Sequence, residues 1–220
     1  MNDEDRKYCE NVIVAGTHIA KFNTFEIVEK IIAEGISGDF AECGVMAGGQ
    51  IAVMARALKR HGQKRTIHAF DSFDGIPRAS ENDTQLHRDT YGNQPDGAVQ
   101  SSGISRVDID GFHYFMKVWD VDAKIETHKG WFEETMEKES QTVGPLALLR
   151  IDVDLYNSTV PVLKYLYPRV VSGGFIIDDD YGSIEDGESP CRRALREYLG
   201  ELPAVTHVEG NPGTAYWRKP

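Results

Sequence analysis

Two short apolar runs, LALLRI at residues 146–151 and GGFII at residues 173–177, each end in acidic residues. The aspartates at these two ends are Asp152, Asp154, Asp178, Asp179 and Asp180. Continuous runs of branched apolar residues are typical of buried parallel strands. The sequence therefore predicts two core strands that both carry carboxylates at their C-terminal ends.

The segment between the two runs predicts how these strands are arranged. Residues 158–167 have a helical pattern, with Ser158 or Thr159 as the cap and Pro168 just past the end. A strand, a helix and a second strand form a crossover, so the two strands are parallel. Both acidic ends then open on one edge of the sheet, which is the edge where open α/β sheets bind ligands.

Carboxylates that converge at one edge repel one another unless a cation or protons lie between them. A magnesium ion is the simplest solution, because it prefers carboxylate oxygens and keeps coordination positions for water or substrate. The simpler interpretation is that aspartates end strands and cap the following helices. Capping accounts for one aspartate per helix, whereas here a pair faces a group of three.

Length and charge limit the class of protein and its partners. The chain has 220 residues and a net charge of −11, enough for one α/β domain with an inserted segment. The negative charge disfavours nucleic acid and anionic membrane surfaces as partners. No apolar stretch approaches the length of about 18 residues that a membrane span needs, and the acidic start is unlike a signal peptide. Three scattered cysteines favour a reducing, cytoplasmic location.

The first half of the chain contains signals for a nucleoside pocket. Residues 1–22 are interpreted as an irregular N-terminal segment, followed by a helix capped by Asn23 or Thr24. A strand at 39–43, a glycine-rich turn at 44–49 and a helix at 50–59 come next. The following strand, 66–70, ends in Asp71, where a carboxylate accepts both hydroxyl protons of a ribose. Neither dinucleotide nor P-loop motifs are present, which favours a nucleoside without a pyrophosphate.

The remaining elements complete the sheet and add a long loop. Residues 73–110 are polar and rich in turn formers, and we interpret them as a lid. Helices are predicted at 111–118, 133–138 and 192–199, and a third core strand at 123–128. Strands at 204–208 and 214–218, separated by GNPG at 210–213, predict a closing antiparallel hairpin.

Several motifs together resemble a known family. They are ECGV at 42–45, GG at 48–49, FDSFDGIP at 70–77, GWF at 130–132, LRIDVDLYNST at 149–159, LYP at 166–168, GGFIIDDDY at 173–181 and YWRK at 216–219. In this order, from about residue 36 to the C-terminus, they resemble the macrocin O-methyltransferase (TylF/MycF/NovP-like) family of class I S-adenosylmethionine-dependent methyltransferases. The resemblance implies a Rossmann-like, seven-stranded sheet with an antiparallel C-terminal hairpin and helices on both faces. It also implies S-adenosylmethionine and Mg²⁺ as cofactors, a glycosylated small molecule as substrate, and a dimer or larger homo-oligomer.

The resemblance also assigns roles to individual residues. The residues implied to bind the cofactor are Glu42, Gly44 and Gly48 at its methionine part, Asp71 and Ser72 at the ribose, and Gly130 and Trp131 at the adenine. The implied metal ligands are Asp152, Asp179 and Asp180, and Asp178 stands where the family usually has an apolar residue. For the general base of methyl transfer our candidates are Asp152 or Asp154, with His87 or His128 behind them.

Three other functions share parts of this pattern. A catechol or another aromatic diol presents neighbouring oxygens to a metal as a sugar does, so an aromatic-diol O-methyltransferase is the first alternative. A non-catalytic module that binds S-adenosylmethionine is the second. A metal-dependent phosphotransferase would use the acidic cluster as well, but Asp71 and the missing phosphate loop count against it.

Overall fold

The structure is a computed structural model, which describes residues 1–14, 18–183 and 187–220. Its strands are β1 (Asp39–Cys43), β2 (Thr66–Asp71), β3 (Lys124–Lys129), β4 (Leu146–Ile151), β5 (Val170–Asp178), β6 (Thr206–Val208) and β7 (Asn211–Arg218). Its helices are α1 (Asp3–Asn11), α2 (His18–Ala33), α3 (Gly49–Arg60), α4 (Gln85–Tyr91), α5 (Ile109–Val118), α6 (Phe132–Glu139), α7 (Tyr156–Tyr165) and α8 (Pro190–Leu199).

The strands form one seven-stranded sheet in the order β3-β2-β1-β4-β5-β7-β6. The pairs among β1 to β5 are parallel, whereas β7 runs antiparallel to both β5 and β6. Strand β4 is buried along its whole length, as its continuous apolar run predicts. The predicted parallel neighbours β4 and β5 and the antiparallel C-terminal hairpin are confirmed.

Helices cover both faces of the sheet, as predicted. On one face, apolar side chains of α2, α3 and α5 form a core with one side of the strands, represented by Phe25, Ile51 and Phe112. On the other face, α6, α7 and α8 pack against residues such as Leu149 and Ile176. The parallel strands therefore all end at one shared edge, between the two helical layers.

The N-terminal region and the start of α7 differ from the sequence-based prediction. The interpretation of residues 1–22 as irregular is wrong where the chain is described, because α1 starts after its cap Asn2 and α2 already begins at His18. The predicted irregular residues 15–17 lie outside the described residues. Helix α7 begins at Tyr156, so Ser158 and Thr159 lie inside it instead of capping it.

The hairpin turn is shorter than predicted. Strand β7 already starts at Asn211, so the expected turn at 210–213 overlaps with paired residues. None of the helices in the described ranges is long and apolar enough to cross a membrane.

The segment 73–110 is ordered around α4 and bonded to the rest of the domain. Asp83 accepts a hydrogen bond from the backbone amide of Tyr156 at 2.8 Å, and the Tyr91 hydroxyl donates to Asp154 at 2.9 Å. Asp83 also accepts from the backbone amide of Ser80 at 2.7 Å. The segment therefore contacts the start of α7 and the end of β4, while its action as a lid stays a prediction.

Candidate active site

A pocket opens at the C-terminal edge of the parallel strands. Its lining comes from the turn after β1, the end of β2, the turns after β3 and β4, and the segment 73–110. The lining residues used below are Val14, Glu42, Gly44, Gly49, Gln50, Asp71, Ser72, Gly130, Trp131, Asp152 and Asp154. Six of the seven residues implied to bind the cofactor are in this set, and Gly48 is the exception.

Asp71 lies at the end of β2 and organises the floor of the pocket. Its Oδ2 accepts hydrogen bonds from the backbone amides of Val45 at 2.8 Å and Met46 at 3.0 Å. Its Oδ1 accepts from the amide of Phe73 at 2.7 Å. Burial raises the pKa of Asp71, and these amide hydrogen bonds oppose that shift. The carboxylate is thus held rigidly at the pocket wall by backbone amides on both of its oxygens.

The glycine-rich turn after β1 is required by close packing. Gly44 has φ of +82°, and a Cβ built on it would lie 1.7 Å from the carbonyl oxygen of Asp152. A Cβ on Gly48, which has φ of +84°, would meet Met116 and Phe112 at 2.4 and 2.6 Å. Gly48 therefore lies against α5 behind the pocket. The turn brings β1 and β4 together, so its glycines serve backbone contact as well as ligand access.

Two lining residues have no counterpart in the sequence prediction. Gln50 is 4% exposed, and both polar atoms of its side chain lack a hydrogen-bond partner within the described residues. Val14 lines the pocket from the N-terminal segment, whose Ile13 carbonyl lies over Gly49. An unpartnered buried amide at a pocket wall is a candidate ligand contact, but a glutamine in an ordinary helix gives no sequence signal for it.

Arg150 is the centre of a buried charge network beneath the pocket. Its Nη1 donates to Glu42 at 2.9 Å and to Asp152 at 2.7 Å, and its Nη2 donates to Asp179 at 2.7 Å. Burial raises the pKa of Glu42 to about 8, although the attraction of Arg150 works against it. One guanidinium thus holds three carboxylates from β1 and the ends of β4 and β5 in fixed positions.

Three aspartates converge beside this network. Asp152, Asp154 and Asp180 each place a carboxylate oxygen within 4.8 Å of the others. Burial and repulsion from Asp179 raise the pKa of Asp152 to about 7. Burial, followed by the charge of Asp154, raises the pKa of Asp180 well above its usual value. Their mutual repulsion therefore favours protons or a cation between these carboxylates.

The donor set fits a hard divalent cation. All three side chains are carboxylates, and Asp180 is oriented by accepting from the amides of Val153 at 2.9 Å and Asp154 at 2.7 Å. Asp154 has φ of +61°, a strained conformation that turns its carboxylate toward the other two. Clustered carboxylate oxygens beside open space are what Mg²⁺ requires.

The other predicted site residues are not among these three aspartates, and each has contacts of its own. Asp179 uses Oδ1 to accept from Arg150 and from Thr214, the latter at 3.0 Å, so its place among the metal ligands stays a prediction. Asp178 accepts from the amide of Asp180 at 3.0 Å, and burial raises its pKa to about 7. The structure places His128 against His68, with 3.1 Å between ring nitrogens, outside the lining of the pocket.

His87, the remaining candidate base, lies on α4. Its Nδ1 contacts the hydroxyl of Thr84 at 2.5 Å, and its ring packs near Tyr91. Tyr91 donates to Asp154, so α4 reaches the acidic cluster through Tyr91.

The strand order β3-β2-β1-β4-β5-β7-β6, with a pocket at the C-terminal edge of the parallel strands, is that of a class I S-adenosylmethionine-dependent methyltransferase. The family model described as macrocin-O-methyltransferase (TylF) matches residues 11–219, and the chain belongs to this family. It is accordingly an S-adenosylmethionine-dependent O-methyltransferase, which confirms the resemblance and excludes the non-catalytic alternative.

The chain is similar to curated O-methyltransferases of natural products. It is 32% identical over 193 residues, 87% of this chain and 69% of the relative, to 8-demethyl-8-(2,3-dimethoxy-alpha-L-rhamnosyl)-tetracenomycin-C 4'-O-methyltransferase from Streptomyces olivaceus. It is 33% identical over 201 residues, 90% of this chain and 72% of the relative, to demethyldecarbamoylnovobiocin O-methyltransferase from Streptomyces niveus.

Solved structures agree with the fold. The O-methyltransferase NovP superposes with a TM-score of 0.75 at 28% identity, covering 94% of this chain and 83% of NovP. An O-methyltransferase from Bacillus cereus in complex with SAH has a TM-score of 0.57 at 11% identity, covering 98% and 90%, and supports the fold alone.

Proposed function

We propose that this protein transfers the methyl group of S-adenosylmethionine to a sugar hydroxyl of a glycosylated natural product or glycan, with Mg²⁺ as the second cofactor. The observation that carries the proposal is that Asp152 and Asp154 line the same pocket as Asp71 and Trp131. A carboxylate cluster and a nucleoside-sized space are thus within one cavity. The name of the relative from Streptomyces olivaceus, a 4'-O-methyltransferase of a rhamnosyl-tetracenomycin, supports the choice of a glycosylated acceptor.

The cofactor has a defined orientation in this proposal. Asp71 accepts the ribose hydroxyls beside Ser72, and Gly130 with Trp131 flanks the adenine. Glu42 and Gly44 would line the methionine end, and Gly48, which the family resemblance also implies there, lies behind the pocket against α5 and supports the turn. The rigid backbone contacts of Asp71 support this role, because a fixed acceptor loses little entropy when it binds a ribose.

Asp152 and Asp180, together with a third carboxylate, would hold the metal. Distances favour Asp154, whereas the family resemblance favours Asp179. A divalent cation bound there supplies Lewis-acid chemistry that lowers the pKa of a coordinated hydroxyl.

The residues of the chain position the acceptor and take its proton. The acceptor oxygen attacks the methyl carbon as the carbon–sulfur bond breaks, and the electron pair leaves with S-adenosylhomocysteine. The hydroxyl proton passes to the carboxylate of Asp152 or Asp154. Tyr91 orients Asp154 by its hydrogen bond of 2.9 Å, and Ile76, Pro77 and Ser105 of the segment 73–110 cover the pocket. Closure by this segment excludes water from the reacting groups.

An acceptor screen tests the proposal directly. The purified protein is incubated with labelled S-adenosylmethionine and a panel of glycosylated natural products, matched aglycones and catechols, each with Mg²⁺ or with EDTA. We expect label only on glycosylated acceptors and only with the metal. Label on catechols but not on sugars identifies the aromatic-diol alternative. Sugar methylation that survives EDTA contradicts the metal.

The proposal also includes the oligomeric state of the protein. The family resemblance implies a dimer or larger assembly, and light scattering coupled to size-exclusion chromatography measures it directly. A monomer at micromolar concentration contradicts this part alone.

Asp71→Asn is expected to weaken S-adenosylhomocysteine binding by about 10- to 100-fold, because charged hydrogen bonds to the ribose are lost. Isothermal titration calorimetry measures the change in Kd. The matched control is Asp74→Asn, since Asp74 lies in the same turn but is 45% exposed and pairs with Arg106 at the surface. An unchanged Kd in Asp71→Asn contradicts the ribose assignment.

The raised carboxylate pKa values predict an unusual pH dependence of stability. The pKa of Asp152 is about 7 in the folded protein and 3.8 in the reference state, so the folded protein binds protons more tightly. In EDTA the Tm should therefore rise as the pH falls from about 8 to about 5. Mg²⁺ binds the deprotonated form, so its stabilising effect should grow with pH. Differential scanning fluorimetry with and without the metal measures both trends, and parallel curves would contradict this assignment.

A further inference from the structure

A second cluster of potential ligands lies at the open edge of the sheet, outside the pocket. His68 of β2 and Glu126 and His128 of β3 share one face, because His68 pairs with Glu126 and Phe70 pairs with His128 in the strand register. His68 Nδ1 is 3.1 Å from His128 Nε2 and 3.6 Å from Glu126 Oε2. One ligand atom from each residue lies within 4.8 Å of the others.

The outer nitrogens of both histidines face carboxylates. His128 Nδ1 is 3.2 Å from Glu139 Oε2 on α6, and His68 Nε2 is 3.9 Å from Asp39 Oδ2 at the start of β1. The contact with Glu139 favours the tautomer of His128 that carries its proton on Nδ1 and directs the lone pair of Nε2 at His68. The 3.9 Å between His68 Nε2 and Asp39 is too long for a hydrogen bond, so His68 carries its single proton either on Nδ1, facing His128 at 3.1 Å, or on Nε2, facing Asp39.

Two neutral rings leave one buried nitrogen of this pair without a partner. If His68 Nδ1 donates to His128, then His68 Nε2 presents a lone pair to Asp39. Consistent with this, His68 Nε2 is buried and has no hydrogen-bond partner among the described residues. A cation between the two inner nitrogens accepts both of their lone pairs, keeps the donation from His128 Nδ1 to Glu139, and leaves the proton of His68 on Nε2, facing Asp39. The third oxygen ligand, from Glu126, favours a metal ion over a shared proton.

We propose that His68, Glu126 and His128 bind a zinc ion that is separate from the magnesium of the acidic cluster. Tetrahedral zinc with nitrogen ligands at about 2.0–2.1 Å places neighbouring ligand atoms about 3.3 Å apart. The separations of 3.1 and 3.6 Å at His68 are close to that value. Imidazole nitrogen suits zinc, whereas the all-carboxylate cluster suits magnesium, so the two sites select different ions.

The surroundings leave a path for the ion and for a fourth ligand. The two histidines are buried, at 2% and 6% exposed, but the side chain of Glu126 is 37% exposed at the edge strand. Lys124 contacts Glu126 through the other carboxylate oxygen, Oε1, at 2.5 Å, so Oε2 remains directed at His68. Water from the edge completes the coordination.

The position of the site indicates what zinc does there. His128 stacks on Phe70 with ring centroids 4.1 Å apart, and Asp71 follows Phe70 directly. Gly130 and Trp131, which are proposed to flank the adenine, lie two and three residues after His128 in the chain. Zinc therefore fastens the edge strand β3 to β2 just behind the nucleoside end of the pocket.

A zinc titration of the full chain tests the proposal. The protein is stripped with EDTA, dialysed, and kept in saturating Mg²⁺ so that the acidic cluster is filled. Calorimetry with ZnCl₂ should show one equivalent bound, and Co²⁺ should give the visible absorption bands of tetrahedral coordination. At a hundredfold excess over Kd, zinc should raise the Tm by about 5–10 °C.

Matched variants assign the bound ion. His128→Gln and Glu126→Gln should each weaken zinc binding by at least about tenfold and remove the tetrahedral cobalt spectrum. His61→Gln is the control, because His61 also contacts one carboxylate, Glu29 at 3.2 Å, without a second histidine. Zinc binding equal to wild type in both ligand variants overturns the proposal, as does the absence of zinc binding in the wild type. If His128→Gln fails to fold, the edge variant Glu126→Gln decides.

Discussion

Asp152→Asn is expected to lower kcat by about 10³-fold in saturating Mg²⁺, while S-adenosylhomocysteine binds with nearly unchanged affinity. The substitution keeps the shape of the side chain and an oxygen that can accept from Arg150 Nη1. In the unchanged protein this nitrogen lies 2.7 Å from Asp152 Oδ2. It removes the negative charge that we propose for metal binding and proton transfer. Losing a positioned base typically costs about 10²–10⁴-fold, and the metal contribution is lost with it. Steady-state kinetics and calorimetry separate the two effects.

Two comparisons make the result specific. Asp110→Asn, on the exposed side of α5, carries the same chemical change away from the site and should leave kcat unchanged. Near-normal turnover of Asp152→Asn with magnesium present would refute the metal-plus-base assignment. The magnesium affinities of Asp154→Asn and Asp179→Asn then identify the third ligand, because the ligand variant loses more affinity.

Gly44→Ala is expected to destabilise the protein by about 3 kcal/mol or more, which corresponds to a fall in Tm of about 6–12 °C. The new methyl group would lie 1.7 Å from the carbonyl oxygen of Asp152, far inside van der Waals contact. The ends of β1 and β4 must separate to make room, which also displaces Asp152 from the acidic cluster. Thermal unfolding and methyl transfer should therefore both be impaired.

Gly35→Ala is the matched control for this effect. Gly35 has φ of +67°, similar to Gly44, but a Cβ there meets nothing within 4 Å. It should cost only about 1 kcal/mol, the price of a left-handed conformation for alanine. An equal loss of stability in the two variants would contradict this explanation. It would show that the left-handed backbone conformation, and not the close contact with Asp152, requires glycine at position 44.

The sequence predicts the features that depend on local pattern and on chain direction. The continuous apolar run of β4 identifies a strand buried on both faces, and the crossover to β5 makes the two strands parallel. The sequence pattern and the chain direction alone therefore predict that Asp152 and Asp180 lie at the same edge of the sheet. Asp71 follows from the same logic, because β2 runs parallel to β1 and ends beside the glycine-rich turn.

The features that the sequence misses depend on distant contacts. The backbone amide of Tyr156 at the start of α7 donates to Asp83, which is 73 positions earlier in the chain. The local sequence does not contain this contact, so its pattern indicates Ser158 or Thr159 as the cap instead. Arg150 is a charge within an apolar run, and its partner Glu42 is 108 positions away. The third carboxylate of the cluster depends on the left-handed conformation of Asp154, which no pattern of residue types specifies.

The bonds from the segment 73–110 to the domain restrict how acceptor preference can be re-engineered. Exchanging this segment for the equivalent loop of a relative would remove Asp83 from the first turn of α7 and Tyr91 from Asp154. A chimera designed for a new sugar must therefore retain both side chains at matching positions. Without them, a graft that fits the new sugar would still disturb the carboxylate beneath it.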